Sequence, residues 1–308
     1  MAGIAVIVLG GAVLLYTTAS GPPPPPRAGT PAASPPGASG TPPVDDSPVP
    51  VPVPSDSRSA PPSRPPSASA SPAGPRGTVL WRVDTALGSR AFEGVETAPG
   101  TVTVAGDPQG RYGPSFRYET WQNPDGTKAR CESRGMRQPN GSVLLLDSSR
   151  VGQVFYLGWR ALWSPLPTQS GAWMALFQMH VDGVGPGGYN VGPFVLRTLG
   201  DGQLYFQLIS PDGSSQHIWN APLPVGSWNR FVIGFKLSRG PDGWVQFWYN
   251  GVAQRFTNAS TTYPAATLWG THDNVKWGIY RSGANHTGNA VAYLNHAALG
   301  TSYAAVAL

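Results

Sequence analysis

The chain has 308 residues, of which only 12% are charged, with a formal net charge of +5 and one cysteine. A single cysteine excludes a disulfide-stapled fold and a thiolate metal site, and the absence of any basic run argues against a nucleic-acid partner. The small positive excess suits a polyanion without specifying one.

From the amino terminus, residues 1–20 hold an uncharged apolar run from Ala2 to about Tyr16 that closes on Thr18, Ala19 and Ser20. This pattern reads as an export signal; if retained, residues 2–16 would instead form a short membrane anchor. Either way the remainder is expected outside the cell, secreted or tethered. Residues 21–76 carry 20 of the 34 prolines and no Phe, Trp or Tyr. Such a composition cannot bury enough apolar surface to offset its ordering entropy, so a disordered, partly polyproline-II linker is expected. All 11 Trp fall in residues 77–308, which suffice for one all-β domain with a sizeable core.

Within that domain, short apolar or alternating runs are separated by Gly, Pro, Asp and Asn, with almost no helical periodicity. The runs 78–84, 115–121, 127–134, 153–162 and 172–180 read as strands, followed by 193–199, 203–209, 228–238, 243–250, 276–281 and 290–297. Turn signals such as Asn123-Pro124-Asp125-Gly126 and Pro241-Asp242-Gly243 lie between them, as hairpins require. More than ten strands rich in aromatics fit an all-β, two-sheet antiparallel β-sandwich of the jelly-roll kind, with a closed barrel as the alternative. Cys131 is expected to be a buried small hydrophobe.

On a strand, residues two apart share a face, so polar pairs at that spacing mark a face that is not ordinary core. Arg117 and Glu119 form one such pair. Lys128, Arg130 and Glu132 form another set, with Cys131 behind them. Gln178 and His180 oppose Trp173, Ala175, Phe177 and Met179, and Lys276, Gly278 and Tyr280 oppose Trp277 and Ile279. Gathered on one concave sheet, these residues would line a groove with donors to anions and two groups able to move protons. Singly, each also has an ordinary reading as a surface ion pair, a solvated lysine or a core aromatic.

In combination, Arg130-Cys131-Glu132, Gln178-Met179-His180 and Lys276-Trp277-Gly278-Ile279-Tyr280-Arg281 resemble the three signature strands of jelly-roll polysaccharide lyases. That group includes alginate lyases, glucuronan lyases and the heparin lyase I type. The likeness spans nearly all of residues 80–308. The segments starting at Trp228 and Val245 are similar to the central region of the heparin lyase I-like and glucuronan lyase branch.

The resemblance implies a concanavalin A-like jelly roll, an acidic polysaccharide substrate and cleavage by β-elimination without a cofactor. A structural calcium ion is compatible with it but not readable from the sequence. Arg130 and Gln178 would offset the uronate carboxylate's charge, and His180 would take the C5 proton. Tyr280 would protonate the departing O4 or, in a syn elimination, act as both base and acid. Lys276, about 13 Å from Tyr280 along an extended strand, is expected to bind a neighbouring acidic sugar. Arg117 and Glu119 are expected to line the same groove, and Glu132 to orient Arg130. The Gly-rich stretch 182–190 reads as a surface loop or a lid. The final strand has Tyr293-Leu-Asn-His296 where relatives are expected to be acidic, which argues against a metal site near the terminus; the longer Arg/Glu-rich alginate lyase motif is missing, which favours a glucuronic-acid polymer over alginate. The protein is expected to be a monomer.

Two other functions fit the same fold. A glycoside hydrolase needs two carboxylates flanking the scissile bond; only Glu119 and Glu132 offer themselves, since no Glu follows residue 132. A non-catalytic carbohydrate-binding module would use exposed Trp and Tyr, and would leave the Gln178/His180 and Lys276/Tyr280 pairs unexplained. The five His show no metal-binding His-Glu-x-x-His spacing, and no Gly-x-Ser-x-Gly elbow occurs.

Overall fold

The structure is a computed structural model that describes residues 77–188, 190–284 and 288–308. The expected export segment and linker, residues 1–20 and 21–76, lie outside the described residues. In chain order the strands are β1 (Val79–Arg82), β2 (Gly94–Ala98), β3 (Thr101–Ala105), β4 (Ser115–Thr120), β5 (Ala129–Arg134) and β6 (Leu146–Asp147). Next come β7 (Val154–Trp163), β8 (Met174–Val181), β9 (Phe194–Thr198), β10 (Gln203–Ile209) and β11 (Ser215–Pro222). The last are β12 (Asn229–Lys236), β13 (Trp244–Tyr249), β14 (Val252–Ala253), β15 (Tyr263–Pro264), β16 (His272–Arg281) and β17 (Ala290–Gly300), followed by one short helix, α1 (Tyr303–Val306).

The strands form two antiparallel sheets, as the alternating runs and tight turns require. The front sheet has the order β11-β10-β9-β8-β16-β5-β2, with β6 on β16. The back sheet has the order β14-β13-β12-β7-β17-β4-β3, with β1 on β17 and β15 on β13. Period-two alternation aims Phe155, Leu157, Trp159, Ala161 and Trp163 of β7 into the core, and Val275, Trp277 and Ile279 of β16 meet them from the front. Trp159 stacks on Phe177 at 4.5 Å between ring centroids and on Phe231 at 5.4 Å, linking the two sheets. Each such pair contributes about 1 kcal/mol beyond the area it buries. Cys131 is fully buried against the Thr101 carbonyl, and burial pushes its thiol up to about 12, so it is an inert hydrophobe as expected.

Six strands escape the sequence pattern. β2 and β3 flank Pro99, are short and lie at sheet edges, so one-sided packing leaves little hydrophobic alternation to read. β6, β11, β14 and β15 are likewise short or peripheral. β16 starts at His272, four residues before the expected boundary, because Asp273 and Asn274 interrupt the apolar run although both are buried. Asp273 is tolerated there because its carboxylate accepts hydrogen bonds from the backbone N–H groups of Trp269 at 3.1 Å and Gly270 at 3.3 Å.

Two register slips re-aim side chains. On β8 the pairing shifts between Ala175 and Phe177 against β9, and a matching irregularity separates Trp277 from Tyr280 against β16. Leu176 and Phe177 therefore both enter the core, and Trp173 and Ala175 turn to the outer face beside Gln178 and His180. This corrects the expectation that Trp173 and Ala175 share a face with Phe177 and Met179; a bulge reverses alternation and leaves no mark in the sequence. The second slip lies on β17 between Asn295 and Ala298, with His296 at φ 54°.

Candidate active site

The outer face of the front sheet carries a cleft of about 810 Å³ floored by β2, β5, β8 and β16 and flanked by Asp182, Gly183 and Asn190 of the Gly-rich loop. A smaller adjoining pocket of about 240 Å³ shares Lys128, His180, Asn190 and Tyr280 with it and adds Trp173, Gln178 and Arg197. Strand register puts the expected residues side by side. β16 and β5 pair Tyr280 with Arg130 and Gly278 with Glu132, and β16 and β8 pair Lys276 with Gln178 and Asn274 with His180.

Glu132 organises the floor. It is 1% exposed, its Oε1 accepts a hydrogen bond from Gln178 Nε2 at 2.7 Å, and its Oε2 faces Arg130 Nε at 3.5 Å. The expected tie between Glu132 and Arg130 is present, and Gln178 joins it. The Arg130 guanidinium lies over the Tyr280 ring, 4.0 Å from its centroid, and the Trp173 ring meets the other side of the site at 4.9 Å from Tyr280. Tyr280 is thus held between a cation and an aromatic edge.

Glu96 was not foreseen. It sits on β2 directly opposite Glu132, its Oε1 accepts from Lys276 Nζ at 2.9 Å, and its Oε2 is ion-paired with Arg130. No sequence pattern marks it, because β2 is a short edge strand without a clear apolar alternation. Two neighbouring carboxylates sharing two cations diverge in acidity. Burial pushes Glu132 up despite Lys276, Gln178 and Arg130. Burial also opposes the Glu96 charge, but Lys276 and Arg130 outweigh it and hold that carboxyl below its ordinary range.

His180 is half-buried. Its Nδ1 lies 2.7 Å from the Val181 carbonyl oxygen, and because a carbonyl only accepts, Nδ1 carries the proton. Nε2 is then left with a lone pair. Burial, with the nearby Lys276 and Arg130 charges, lowers the imidazole to about 4. Lys276 itself is only 5% exposed, with the Glu96 carboxylate as its partner.

Arg117 and Glu119 do not join this cleft. They lie on β4 of the back sheet, bonded to each other at 2.8 Å, with Glu119 also accepting from Asn289. The chain crosses from one sheet to the other between β4 and β5, and parity along a strand cannot report which sheet the strand joins. The same crossing separates Glu119 from Glu132, so these two carboxylates cannot flank one glycosidic bond. Among the described residues no group of three or more His, Cys, Asp or Glu is placed to hold a metal ion.

The fold and its charged cleft name no activity by themselves, and comparison with known proteins supplies one. The Polysaccharide lyase family model matches residues 89–297, more than half of the chain, and the chain belongs to that family. It is a polysaccharide lyase. Its fold is similar to that of the endo-β-1,4-glucuronan lyase from the fungus Trichoderma reesei, at 16% identity and TM-score 0.56, covering 74% of this chain and 98% of that one. Alginate lyase vAL-1 from Chlorella virus is also similar, at 12% identity and TM-score 0.49, covering 73% of this chain and 100% of that one. No curated protein matches the chain.

Proposed function

We propose that the chain is exported and cleaves a uronic-acid polysaccharide, of the glucuronan kind, by β-elimination in the front-sheet cleft. The observation that carries this reading is the neutral His180, with Nε2 unprotonated, set among Arg130, Gln178 and Lys276 with Tyr280 on the same floor. The C5 proton of a uronate is weakly acidic because the adjacent carboxylate resists further negative charge. A base as weak as His180 needs that proton acidified. Arg130, Gln178 and Lys276 supply the positive and donor groups that do so when they take up the carboxylate. His180 Nε2 then accepts the C5 proton, the C5–H electrons form the C4=C5 bond, the C4–O4 bond breaks, and O4 takes the Tyr280 hydroxyl proton. Proton return from His180 to Tyr280 through solvent resets the site. Glu132 positions Arg130 and Gln178 throughout.

The test is ultraviolet absorbance of the new double bond when the full chain is given glucuronan, alginate, heparin, hyaluronan or pectate. A rise on a glucuronic-acid polymer supports the reading. New reducing ends without absorbance would overturn it.

The acidity of His180 adds an expected pH profile. kcat/KM reports the free enzyme, in which protonation of Nε2 removes the base. The acid limb is expected at about 4, not at the ordinary 6.5. Activity on a glucuronate oligosaccharide should thus persist through about pH 5, and a midpoint near 6.5 would show an imidazole of ordinary acidity in the free enzyme. Stability follows the same group. The folded value lies below the unfolded one, so the contribution is complete above 6.5 and declines as the pH falls toward about 4.

A further inference from the structure

The outer face of the back sheet, across the sandwich from the cleft, has a recess of about 540 Å³ lined by Arg82, Arg160, Asn295 and His296, with Tyr112 and Asp84 at its edge. Its construction departs from ordinary sheet surface. On β17 both Leu294 and Ala297 face the core, so the slip at His296 turns Asn295 and His296 together onto the outer face. A non-glycine residue at φ 54° costs about 1–2 kcal/mol, and bulges of this kind recur where a side chain has to be re-aimed.

The re-aimed residues are fixed in place. Asn295 is 8% exposed, and its Nδ2 donates to the Tyr112 and Pro114 carbonyls at 3.3 Å and to Ser115 Oγ at 3.2 Å. Its Oδ1 accepts from Arg160 Nη1 at 3.2 Å, and Arg82 Nη1 donates to His296 Nε2 at 3.1 Å. The Arg160 guanidinium lies over the Tyr112 ring at 4.4 Å, while its Nε is buried without a partner. Among the described residues neither Arg82 nor Arg160 has a carboxylate within 4.0 Å. Asp84 directs its carboxylate to the Ala86 N–H at 2.9 Å. Burial and the neighbouring arginine charges lower His296, as expected where positive charge is uncompensated.

We propose that this recess is a second binding site for carboxylate-bearing sugar units, with Arg82 and Arg160 taking the carboxylate and the 37%-exposed Tyr112 ring contacting the sugar's apolar face. The identity of the sugar rests on the function proposed above. Planar guanidinium groups match carboxylate geometry, and an aromatic ring adds the contact that a bare anion would not need. A polymer held here and in the cleft is bound at two points, which raises its effective concentration at the cleft without adding contacts there.

The experiment uses the full chain and a glucuronate tetrasaccharide. By calorimetry the Tyr280→Phe variant, which keeps both sites but lacks the hydroxyl needed for turnover, should bind at two sites. Lys276→Ala, which disables the cleft, should keep one site, and adding Arg82→Ala and His296→Ala should remove it. With the cleft intact, the Arg82→Ala/His296→Ala variant should cleave the tetrasaccharide at the wild-type rate while its KM for long polymer rises about tenfold. A single site in Tyr280→Phe, or an unchanged polymer KM, would overturn the inference. Displacement by inorganic phosphate at the same concentration as the tetrasaccharide would overturn the sugar assignment. If no uronate polymer yields an unsaturated product but Arg82-dependent binding persists, the proposed elimination fails and the recess stands; product without Arg82-dependent binding has the reverse meaning.

Discussion

His180→Ala and Tyr280→Phe are each expected to lower the rate of double-bond formation by about 10²–10⁴-fold, the usual contribution of a positioned base or acid. Polymer binding should change little, because the groups proposed to hold the carboxylate, Arg130, Lys276 and Gln178, are untouched. The reason for choosing Phe is geometric. The Tyr280 ring is clasped by the Arg130 guanidinium at 4.0 Å and the Trp173 ring at 4.9 Å, and Phe keeps both contacts while deleting only the hydroxyl. The double variant should be scarcely slower than the worse single one, since proton removal and proton delivery belong to one step. Stopped assays of each purified variant with calorimetric binding in parallel check this. A Tyr280→Phe variant with full activity would remove the phenol from the reaction.

Gly278→Ala is expected to be a strongly damaging single methyl addition near the cleft. Gly278 has φ 134°, a region that side chains rarely adopt, and a Cβ built there would stand 2.1 Å from the Cys131 carbonyl oxygen and 2.9 Å from Glu132 Cα. Those are backbone atoms of the paired strand β5, so neither can rotate away. Separating the strands would break the register that sets Tyr280 on Arg130 and Gly278 on Glu132. A loss of roughly 3 kcal/mol or more is expected, equivalent to about 10 °C in Tm for a domain of this size. Gly106→Ala, where a Cβ meets nothing within 4 Å, should stay within about 0.5 kcal/mol of wild type. Thermal melts of the two variants decide the matter; equal melting temperatures would show that β5 and β16 yield more easily than their spacing suggests.

What the sequence could and could not reveal follows from what each feature leaves in it. Long central strands such as β7 and β10 bury one full face, and their alternation survives as a readable pattern; β10 spans the expected 203–209. The same holds for Gln178, His180, Lys276 and Tyr280, which are polar exceptions at fixed spacing on strands that are otherwise apolar. Glu96 was illegible because β2 is an edge strand whose residues pack on one side only. Arg117 and Glu119 show the opposite failure: their spacing is correct for a shared face, but sheet membership is decided by pairing partners far away in sequence. The slip on β8 is invisible for a related reason. It inserts no residue type of its own, yet it brings Trp173 to the cleft.

Glu96 gives the resting cleft a property that neither Arg130 nor Lys276 would confer alone. Its carboxylate already occupies both cations, so under the proposed reaction an arriving uronate would enter by exchange: one anion leaves the pair and another of the same charge and shape replaces it. A neutral glycan brings no charge to replace Glu96, so drawing Arg130 or Lys276 away from it would leave a partly buried charge unpaired. On the proposed reaction the cleft would thereby disfavour uncharged polysaccharides through the cost of opening an internal ion pair, a selectivity filter that precedes any contact with the sugar ring.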